Sequence, residues 1–332
     1  MSGTATAPGT LGAGSFQKRR IDVTITLGKG AFGTSGQNTV KLTGLRAVAS
    51  IEKMGFPSMD KAFVRVYGVR PAVMNAVSTL GIPLAMWRPG NTMLVEAGDD
   101  ANGMAIVYNG YLHQAYQNFD EAPDTSLVLA GWGGQDQAIL PAKPISFQGT
   151  ADVATMMAGI ASTMGYAFEN NGVNVKLSNQ YCCGTPLEQS HAIARAANIE
   201  VYVDTGKSPP VLAIWPKYGT RGGMVPLISA RSGLVGYPKF QSNGMSFRCI
   251  FNPSLKLGGQ IEMQSTTGGP PRTVTSQDAT AAAVPSGTQS DGPNGIWTVI
   301  SPFTYDLASE MPGGPWFCEV HCARVNGPGA PR

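Results

Sequence analysis

Two adjacent cysteines are the residues of this chain best suited to act as nucleophiles. Cys182 and Cys183 precede the segment 185–188 (TPLE), which predicts the start of a helix, and a helix N-terminus favours a thiolate. His191 in that helix is the candidate base. Neighbouring side chains of an extended chain point to opposite sides, so both thiols cannot face one pocket, and no third group orients the histidine. We therefore interpret both cysteines as buried and structural.

Cys318, His321 and Cys322 have the residue types of a metal site. On a predicted strand, positions 318 and 322 share one face and position 321 lies on the other. A zinc site needs four converging ligands, and neither the other histidines nor Cys249 has a spacing that supplies the rest. The sequence therefore predicts no metal ligand. His113, inside another predicted strand, is interpreted as an interface residue rather than a base.

The segment 28–33 (GKGAFG) matches the spacing G-x-G-x-x-G of nucleotide-binding loops. A dinucleotide fold requires a helix immediately after such a loop, so that its N–H groups meet the pyrophosphate. Here polar residues and then another predicted strand follow, and the further motifs of a kinase are missing. The segment is predicted to be a turn. Asp99 and Asp100 lack the additional oxygen ligands of a calcium loop and are predicted to lie in a solvated hairpin turn.

Two possible functions would depend on carboxylates or on aromatic rings. A peptidoglycan hydrolase needs paired carboxylates in a cleft, and a carbohydrate-binding protein needs an exposed aromatic platform. The candidates are Glu169, Glu188 and Glu200 for the first, and Trp132, Trp215 and Trp297 for the second. The glutamates show no paired spacing, and tryptophans at such strand positions are typical of cores. The sequence thus assigns no catalytic, cofactor-binding or metal-binding residue, and predicts that the chain is not an enzyme.

Alternating apolar residues predict strands through the first part of the chain. A helix is predicted to begin at Pro71 and to end at Gly81. The predicted strands cover 21–27, 39–42, 45–51, 62–67, 92–97, 104–116 and 126–131. These elements predict a first β-barrel domain over residues 18–139. The preceding residues 1–17, mostly Gly, Ala, Thr, Ser and Pro, are predicted to be a flexible arm.

The middle of the chain predicts a small α+β module over residues 140–225. Thr150 is predicted to cap a helix in which Val153, Met156, Met157, Ile160 and Met164 line one face. The segment 185–188 is a capping box, and its helix is predicted to run to about Asn198. A hairpin of residues 199–204 and 211–215 follows.

Residues 226–332 predict a second β-barrel domain. Alternation predicts strands over 245–251, 255–264, 296–300 and 316–322, with a turn at 312–315. A mobile loop is predicted at 273–294, where the sequence is mostly Ser, Thr, Ala, Gln, Gly and Pro, and a neighbouring protein could order it.

The composition indicates a β-rich protein whose surface is largely covered by neighbours. Charged residues make up 14% of the 332 residues, against roughly 25% in an ordinary soluble domain. Glycine and proline together make up 66 of the 332 residues, and so many turn-forming residues favour a β-rich fold. The net charge of +3 shows no basic stripe, so specific nucleic-acid binding is not indicated. No segment has the length and apolarity of a membrane span or a secretion signal. Five cysteines without framework spacing indicate reduced thiols.

Five segments carry a resemblance to a known family. In this order they are similar to the C-terminal half of baseplate hub proteins from contractile-tailed, Mu-like bacteriophages, and the resemblance extends weakly over most of residues 20–325. The segments are 227–238, 251–253, 257–259, 295–300 and 312–316. The resemblance implies a mainly β fold with an α+β insert: two tail-tube-like antiparallel β-barrels plus a small α+β module.

The resemblance also implies an assembly. In such hubs three chains form a homotrimeric ring, and their six barrels present a pseudo-hexameric face to the tail tube while the threefold axis matches a trimeric spike. The implied partners are the tail tube or tube-initiator protein, the spike and, as a further candidate, the tape-measure protein; no membrane is involved, and DNA passes through the channel. The implied location is the virion tail baseplate, assembled in the cytoplasm of the host bacterium.

Overall fold

The N-terminal half of the chain is built almost wholly from strands. The computed structural model describes residues 18–33, 36–78, 90–241, 244–265 and 292–324, so the predicted arm 1–17 and most of the predicted loop 273–294 lie outside the described residues. The elements of this half are β1 (Arg19–Thr26), β2 (Thr39–Leu42), β3 (Ala47–Lys53), β4 (Lys61–Tyr67), α1 (Pro71–Val77), β5 (Thr92–Asp99), β6 (Gly103–Asn118), β7 (Ser126–Trp132) and α2 (Gln135–Ile139). The strands agree with the sequence pattern because their alternate apolar residues form the core; Ile21, Val23 and Ile25 are all buried.

The remaining elements belong to the middle module and the C-terminal half. The module contains β8 (Ile145–Asp152), α3 (Val153–Met164), β9 (Ala167–Asn170), β10 (Lys176–Cys182), α4 (Pro186–Ala197), β11 (Ile199–Asp204) and β12 (Val211–Pro216). The C-terminal half contains β13 (Leu227–Ser229), β14 (Leu234–Gln241), β15 (Gly244–Ile250), β16 (Gln260–Gln264), β17 (Gly295–Ser309) and β18 (Trp316–Ala323). The predicted mainly β fold with an α+β insert is confirmed.

Strands of both halves form one sheet. Its path is β14-β15-β18-β17-β3-β4-β7-β6-β5-β1-β2, and β13 and β16 attach to it beside β17. One hydrophobic core extends along it, from Ile21 in β1 to Cys322 in β18. The module has its own core, in which α3 and α4 pack on small sheets. No helix among the described residues is both long and apolar enough to cross a bilayer.

The two halves repeat one strand order. The order β3-β4-β7-β6-β5-β1 in the first half corresponds to β14-β15-β18-β17-β16-β13 in the second. Every neighbouring pair in both series is antiparallel, except that β13 runs parallel to β16. The repeat therefore extends over five strands with the same directions, although no repeat is visible in the sequence.

Several predicted boundaries were wrong. Strand β16 begins at Gln260 rather than at 255, because Leu255 and Leu257 are buried from a turn segment and not from the sheet. Strand β17 continues to Ser309 instead of ending at 300, since a β-bulge carries the chain past Pro302. Helix α1 ends at Val77, and residues 79–81 of the predicted helix lie outside the described part.

The predicted N-terminal cap of α4 is correct, and the predicted N-terminal cap of α3 is wrong. At α4, the Thr185 side chain accepts from Glu188 N at 3.2 Å and Glu188 Oε2 accepts from Thr185 N at 2.8 Å, so the predicted capping box is confirmed. Asn198 ends this helix in the left-handed conformation. Thr150, however, lies in β8, and Asp152 caps α3 instead. Its carboxylate accepts from Thr155 N, which a threonine two residues earlier cannot reach.

We expect Thr185→Ala to lower the free energy of unfolding by about 1 kcal/mol, because it removes one partner of the N-terminal N–H groups of α4. Denaturant titration measures this change. The matched control is Thr150→Ala, an exposed strand position whose loss we expect to cost less than about 0.5 kcal/mol. Equal losses in the two variants would contradict the assigned cap.

Candidate functional site

The pairing of β17 with β3 joins the two β halves. The register runs from Phe303 opposite Lys53 to Ser309 opposite Ala47. A side-chain bond accompanies it, with Ser50 Oγ donating to Asp306 Oδ1 at 3.0 Å. This seam fixes the orientation of one half against the other. It also places the end of β3, and with it Lys53, against the middle module.

Asp60 is the centre of a buried polar cluster between the first β half and the module. Its carboxylate accepts from Tyr202 Oη at 2.9 and 3.0 Å, from Thr205 Oγ1 at 2.6 Å and from Met54 N at 2.9 Å. Lys53 Nζ lies 3.3 Å from Asp60 Oδ2 and donates to Thr205 Oγ1 at 2.7 Å. Burial raises the pKa of Asp60 even though Lys53 opposes the shift. The cluster thus attaches β11 of the module to the hairpin between β3 and β4.

Gly133 permits the close approach of these segments. Its N–H donates to the Asp60 carbonyl at 2.8 Å, and a Cβ at this position would collide with the Thr205 side chain. The glycine after β7 is therefore required for the module to pack this near to the sheet.

Arg221 forms a second buried cluster, at the junction of the module with the C-terminal half. Its Nε and Nη2 donate to the two Glu169 oxygens at 2.7 and 2.8 Å, and Nη1 forms an ion pair with Asp204 Oδ2 at 2.8 Å. The hydrogen bonds from Arg221 lower the pKa of Glu169 to about 2. The Arg221 backbone N–H donates to the Gly258 carbonyl at 2.7 Å, so the linker after β12 is tied to both parts.

Asp204 stands between the two clusters. Burial by itself would raise the pKa of its carboxyl, but Lys53 and Arg221 outweigh burial and lower it. Lys207 Nζ adds a more exposed contact to Glu169 at 3.5 Å. We call the region where the module contacts the two β halves the joint. Cations and carboxylates alternate through the joint, so each buried charge has a partner of opposite sign, as buried charges require.

His191 occupies the face of α4 that meets the segment 54–60. Its ring packs edge-on against Phe56, with 4.2 Å between the ring centroids. Burial, assisted by Arg195 and opposed by Glu188, lowers the pKa of His191 to about 4. The ring is therefore neutral at pH 7 and serves as a packing group at the junction.

Of the two thiols considered as nucleophiles, Cys182 is buried at the end of β10, where burial raises the pKa of its thiol. An activated nucleophile needs the opposite shift. The prediction that both cysteines are buried is wrong for Cys183, which is exposed. His191 faces Phe56, as described above.

The residues considered as metal ligands are separated by the strand. Cys318 and Cys322 are buried in the core of the C-terminal half together with Cys249, whereas His321 is partly exposed on the other face. Within the described ranges, no group of three His, Cys, Asp or Glu side chains could hold a metal ion.

The carboxylates considered for hydrolysis are not brought together. Glu169 binds Arg221, Glu188 belongs to the capping box, and Glu200 lies on β11 opposite Trp215. Asp99 organises its hairpin turn by accepting from the N–H groups of residues 101 and 102. These carboxylates therefore lie in separate parts of the structure and do not form a pair in one cleft.

Of the three tryptophans considered as a platform, Trp215 and Trp297 are buried. Trp132 is 36% exposed and stacks on His113, with 4.4 Å between the ring centroids. Phe32, within the segment 28–33, forms an antiparallel β-bridge with Gln37, which is the geometry of a turn.

Sequence reasoning missed the residues that form the joint. Lys53 and Asp60 are far in the chain from Tyr202 and Arg221, and no local spacing marks any of the four. The one available signal is indirect: Asp60 and Arg221 lie in Gly-, Pro- and Ser-rich segments that the pattern assigned to loops.

Comparison with known proteins now gives these features a context. The family model described as baseplate hub gp41 matches residues 20–268. A comparison with curated protein sequences finds no match.

Solved structures share the fold at low sequence identity. A tail protein from Neisseria meningitidis MC58 gives a TM-score of 0.56 at 9% identity, covering 93% of this chain and 99% of that chain. The 43 kDa tail protein of prophage MuSo2 from Shewanella oneidensis gives 0.54 at 9% identity, with coverages of 93% and 97%. The E. coli c3393 protein, a type VI secretion component described as structurally similar to the T4 bacteriophage tail proteins gp27 and gp5, gives 0.50 at 9% identity, covering 86% and 77%.

We expect Arg221→Met to lower the free energy of unfolding by about 3 kcal/mol, because it leaves Asp204 and Glu169 without their main cation. Chemical denaturation monitored by circular dichroism measures the change. The control Lys207→Met removes the more exposed cation from Glu169 and should cost about 0.5 kcal/mol. A loss in Arg221→Met no larger than in this control would show that the buried cluster does not hold the joint.

We expect acid to lower the stability that the packing of His191 against Phe56 contributes. In the folded chain the pKa is depressed to about 4, so between the ordinary value of 6.5 and 4 the unfolded chain binds the proton and the folded chain does not. This contribution to stability is complete above pH 6.5 and is lost as the pH falls towards 4. The variant His191→Phe keeps an aromatic ring beside Phe56 but does not titrate, so its midpoint should fall less over this window in thermal melts. An equal fall of the thermal midpoint in His191→Phe and in the wild type would show that the titration of His191 does not cause the loss of stability.

Proposed function

The chain belongs to the baseplate hub gp41 family, and on that premise we propose that three copies form a ring joining a hexameric tail tube to a trimeric spike. The protein is a structural hub of a phage tail baseplate. The ring would be a symmetry adaptor, in which six similar β units match the tube while the true threefold axis matches the spike.

The repeated strand order is the observation that carries this proposal. Each chain contains two β units with five corresponding strands, held in one orientation by the seam between β17 and β3. Three chains then supply 2 × 3 = 6 units. Quasi-equivalent positions in a ring require such a fixed relation, because a flexible linker would not place the units at regular intervals.

The domain division and partners follow from the same proposal. A first barrel domain covers residues 18–139, the module 140–225 and a second barrel domain 226–332. The tube or tube-initiator protein would contact the six-unit face and the spike the opposite side, with the tape-measure protein as a further partner during assembly in the host cytoplasm. The role is structural rather than enzymatic, which accords with carboxylates that are occupied in caps and ion pairs.

The mass of the purified full-length chain tests the ring. Native mass spectrometry, with and without the tube and spike proteins, should show a species of three chains, and averaged electron micrographs should show six similar densities around it. A single chain in the presence of both partners, or a ring of six chains, would be incompatible with the adaptor.

A further inference from the structure

We infer that a cavity at the joint binds a free short-chain carboxylate, an ion with one negative charge and a small apolar tail. Three features of the joint support this site. They are the place and lining of the cavity, a cation at its rim that has no anionic partner, and a buried hydroxyl in its wall that has no hydrogen-bond partner.

The cavity lies where the three parts of the chain meet, and its volume is about 70 Å³. The first β half contributes Lys53 and Val107 to its lining, the module contributes Asp204 and Lys207, and the C-terminal half contributes Phe303 of β17. The side chain of Lys207 is 43% exposed, so this wall reaches the solvent. One water molecule needs only about 10–15 Å³ of such space, and a small organic ion therefore fits.

Lys256 is a cation of this lining that lacks a counter-ion. Among the other charged residues of the wall, Lys53, Lys207 and Asp204 each form one of the ion pairs of the joint. Within the described ranges Lys256 forms no ion pair. Its Nζ lies beside the linker after β12, where a Cβ added to Gly223 would be 3.2 Å away. An anion in the cavity supplies the partner that this ammonium lacks.

Tyr305 provides a hydrogen-bond donor in the wall of the cavity. The residue is 4% exposed, and its ring packs against Phe303, with 4.6 Å between the ring centroids. Burial raises the pKa of its hydroxyl well above the ordinary value, so the group keeps its proton. The hydroxyl forms no hydrogen bond with any described residue, which is costly for a buried polar group. A carboxylate oxygen accepts this hydrogen bond while the charge pairs with Lys256.

The rest of the lining selects for a single charge and an apolar tail. Asp204 is a fixed carboxylate in the same wall, so it repels a doubly charged ion such as phosphate more strongly than a singly charged one. Leu255, Leu257 and Phe303 are at most 6% exposed and form an apolar part of the wall. Propionate carries one carboxylate and an ethyl group, and it is the probe that matches both features.

Thermal unfolding of the purified full-length chain tests the site. At constant ionic strength set with sodium chloride, we expect about 20 mM propionate to raise the midpoint by about 3 °C, because a ligand that binds only the folded chain stabilises it. Propionamide has a similar shape without the charge and should shift the midpoint by less than about 0.5 °C. Phosphate should shift it by less than half as much as propionate. The chain is measured alone, so the outcome is independent of the proposed ring.

Two variants locate the binding. Lys256→Met removes the cation, and Tyr305→Phe removes the hydroxyl but keeps the ring, so we expect each to weaken the apparent affinity for propionate by about 10-fold or more. The matched control Lys217→Met removes an exposed lysine outside the cavity and should retain the full shift.

Three results would overturn the site. They are the absence of a shift in the wild type, an equal shift with propionamide, and a full shift retained in Lys256→Met or in Tyr305→Phe. The midpoint of each variant is also measured without propionate. If one of the two does not fold, the other decides, and saturation-transfer difference spectra of propionate with the wild-type chain give a second measure of binding.

Discussion

The antiparallel ladder between β17 and β3 is the constraint on which the rest of this structure depends. It joins residues as far apart in sequence as Ser50 and Asp306, and it covers the edge of β3 that β4 leaves open. A strand pair has a fixed register and twist, so it sets the relation between the halves far more closely than a linker does. One sheet and one core then extend through both halves. The proposed ring needs this stiffness, because each chain would occupy two of its positions.

Buried charged residues connect the middle module to the sheet that contains this ladder. The chain has few charged residues, yet Lys53, Asp60, Asp204 and Arg221 are all buried where the module meets the sheet. Such groups contribute little net stability when they are compared with apolar packing, but an incorrect arrangement leaves a charge without a partner. We interpret the clusters as a device for specificity, since they permit one docking geometry of the module and penalise others. His191 and Phe56 pack at the outer side of the same contact.

Local patterns in the sequence predicted most of the elements, and contacts between distant segments explain what they missed. Strand alternation and the capping box depend on neighbouring residues, so β1, β18 and α4 were foreseen. The cap of α3 was assigned to Thr150, whereas Asp152 is both the last residue of β8 and the cap. The parallel pairing of β13 with β16 and the Asp60 and Arg221 clusters depend on segments tens to hundreds of residues apart, which no local period encodes. The pairing of β17 with β3 also joins distant segments, so local sequence patterns do not predict it.

The repeat is visible in strand order and not in sequence because the two units have different surroundings. A strand at the position of β3 is covered on both edges and has small apolar residues, whereas β14 at the same position has Tyr237, Pro238 and Lys239. A shared fold constrains which positions face the core but leaves the outward positions free to match separate neighbours. In the proposed ring, the two units of one chain would be alike towards a sixfold partner and different towards a threefold one. Divergence of their side chains is what such a proposed adaptor between two symmetries would require.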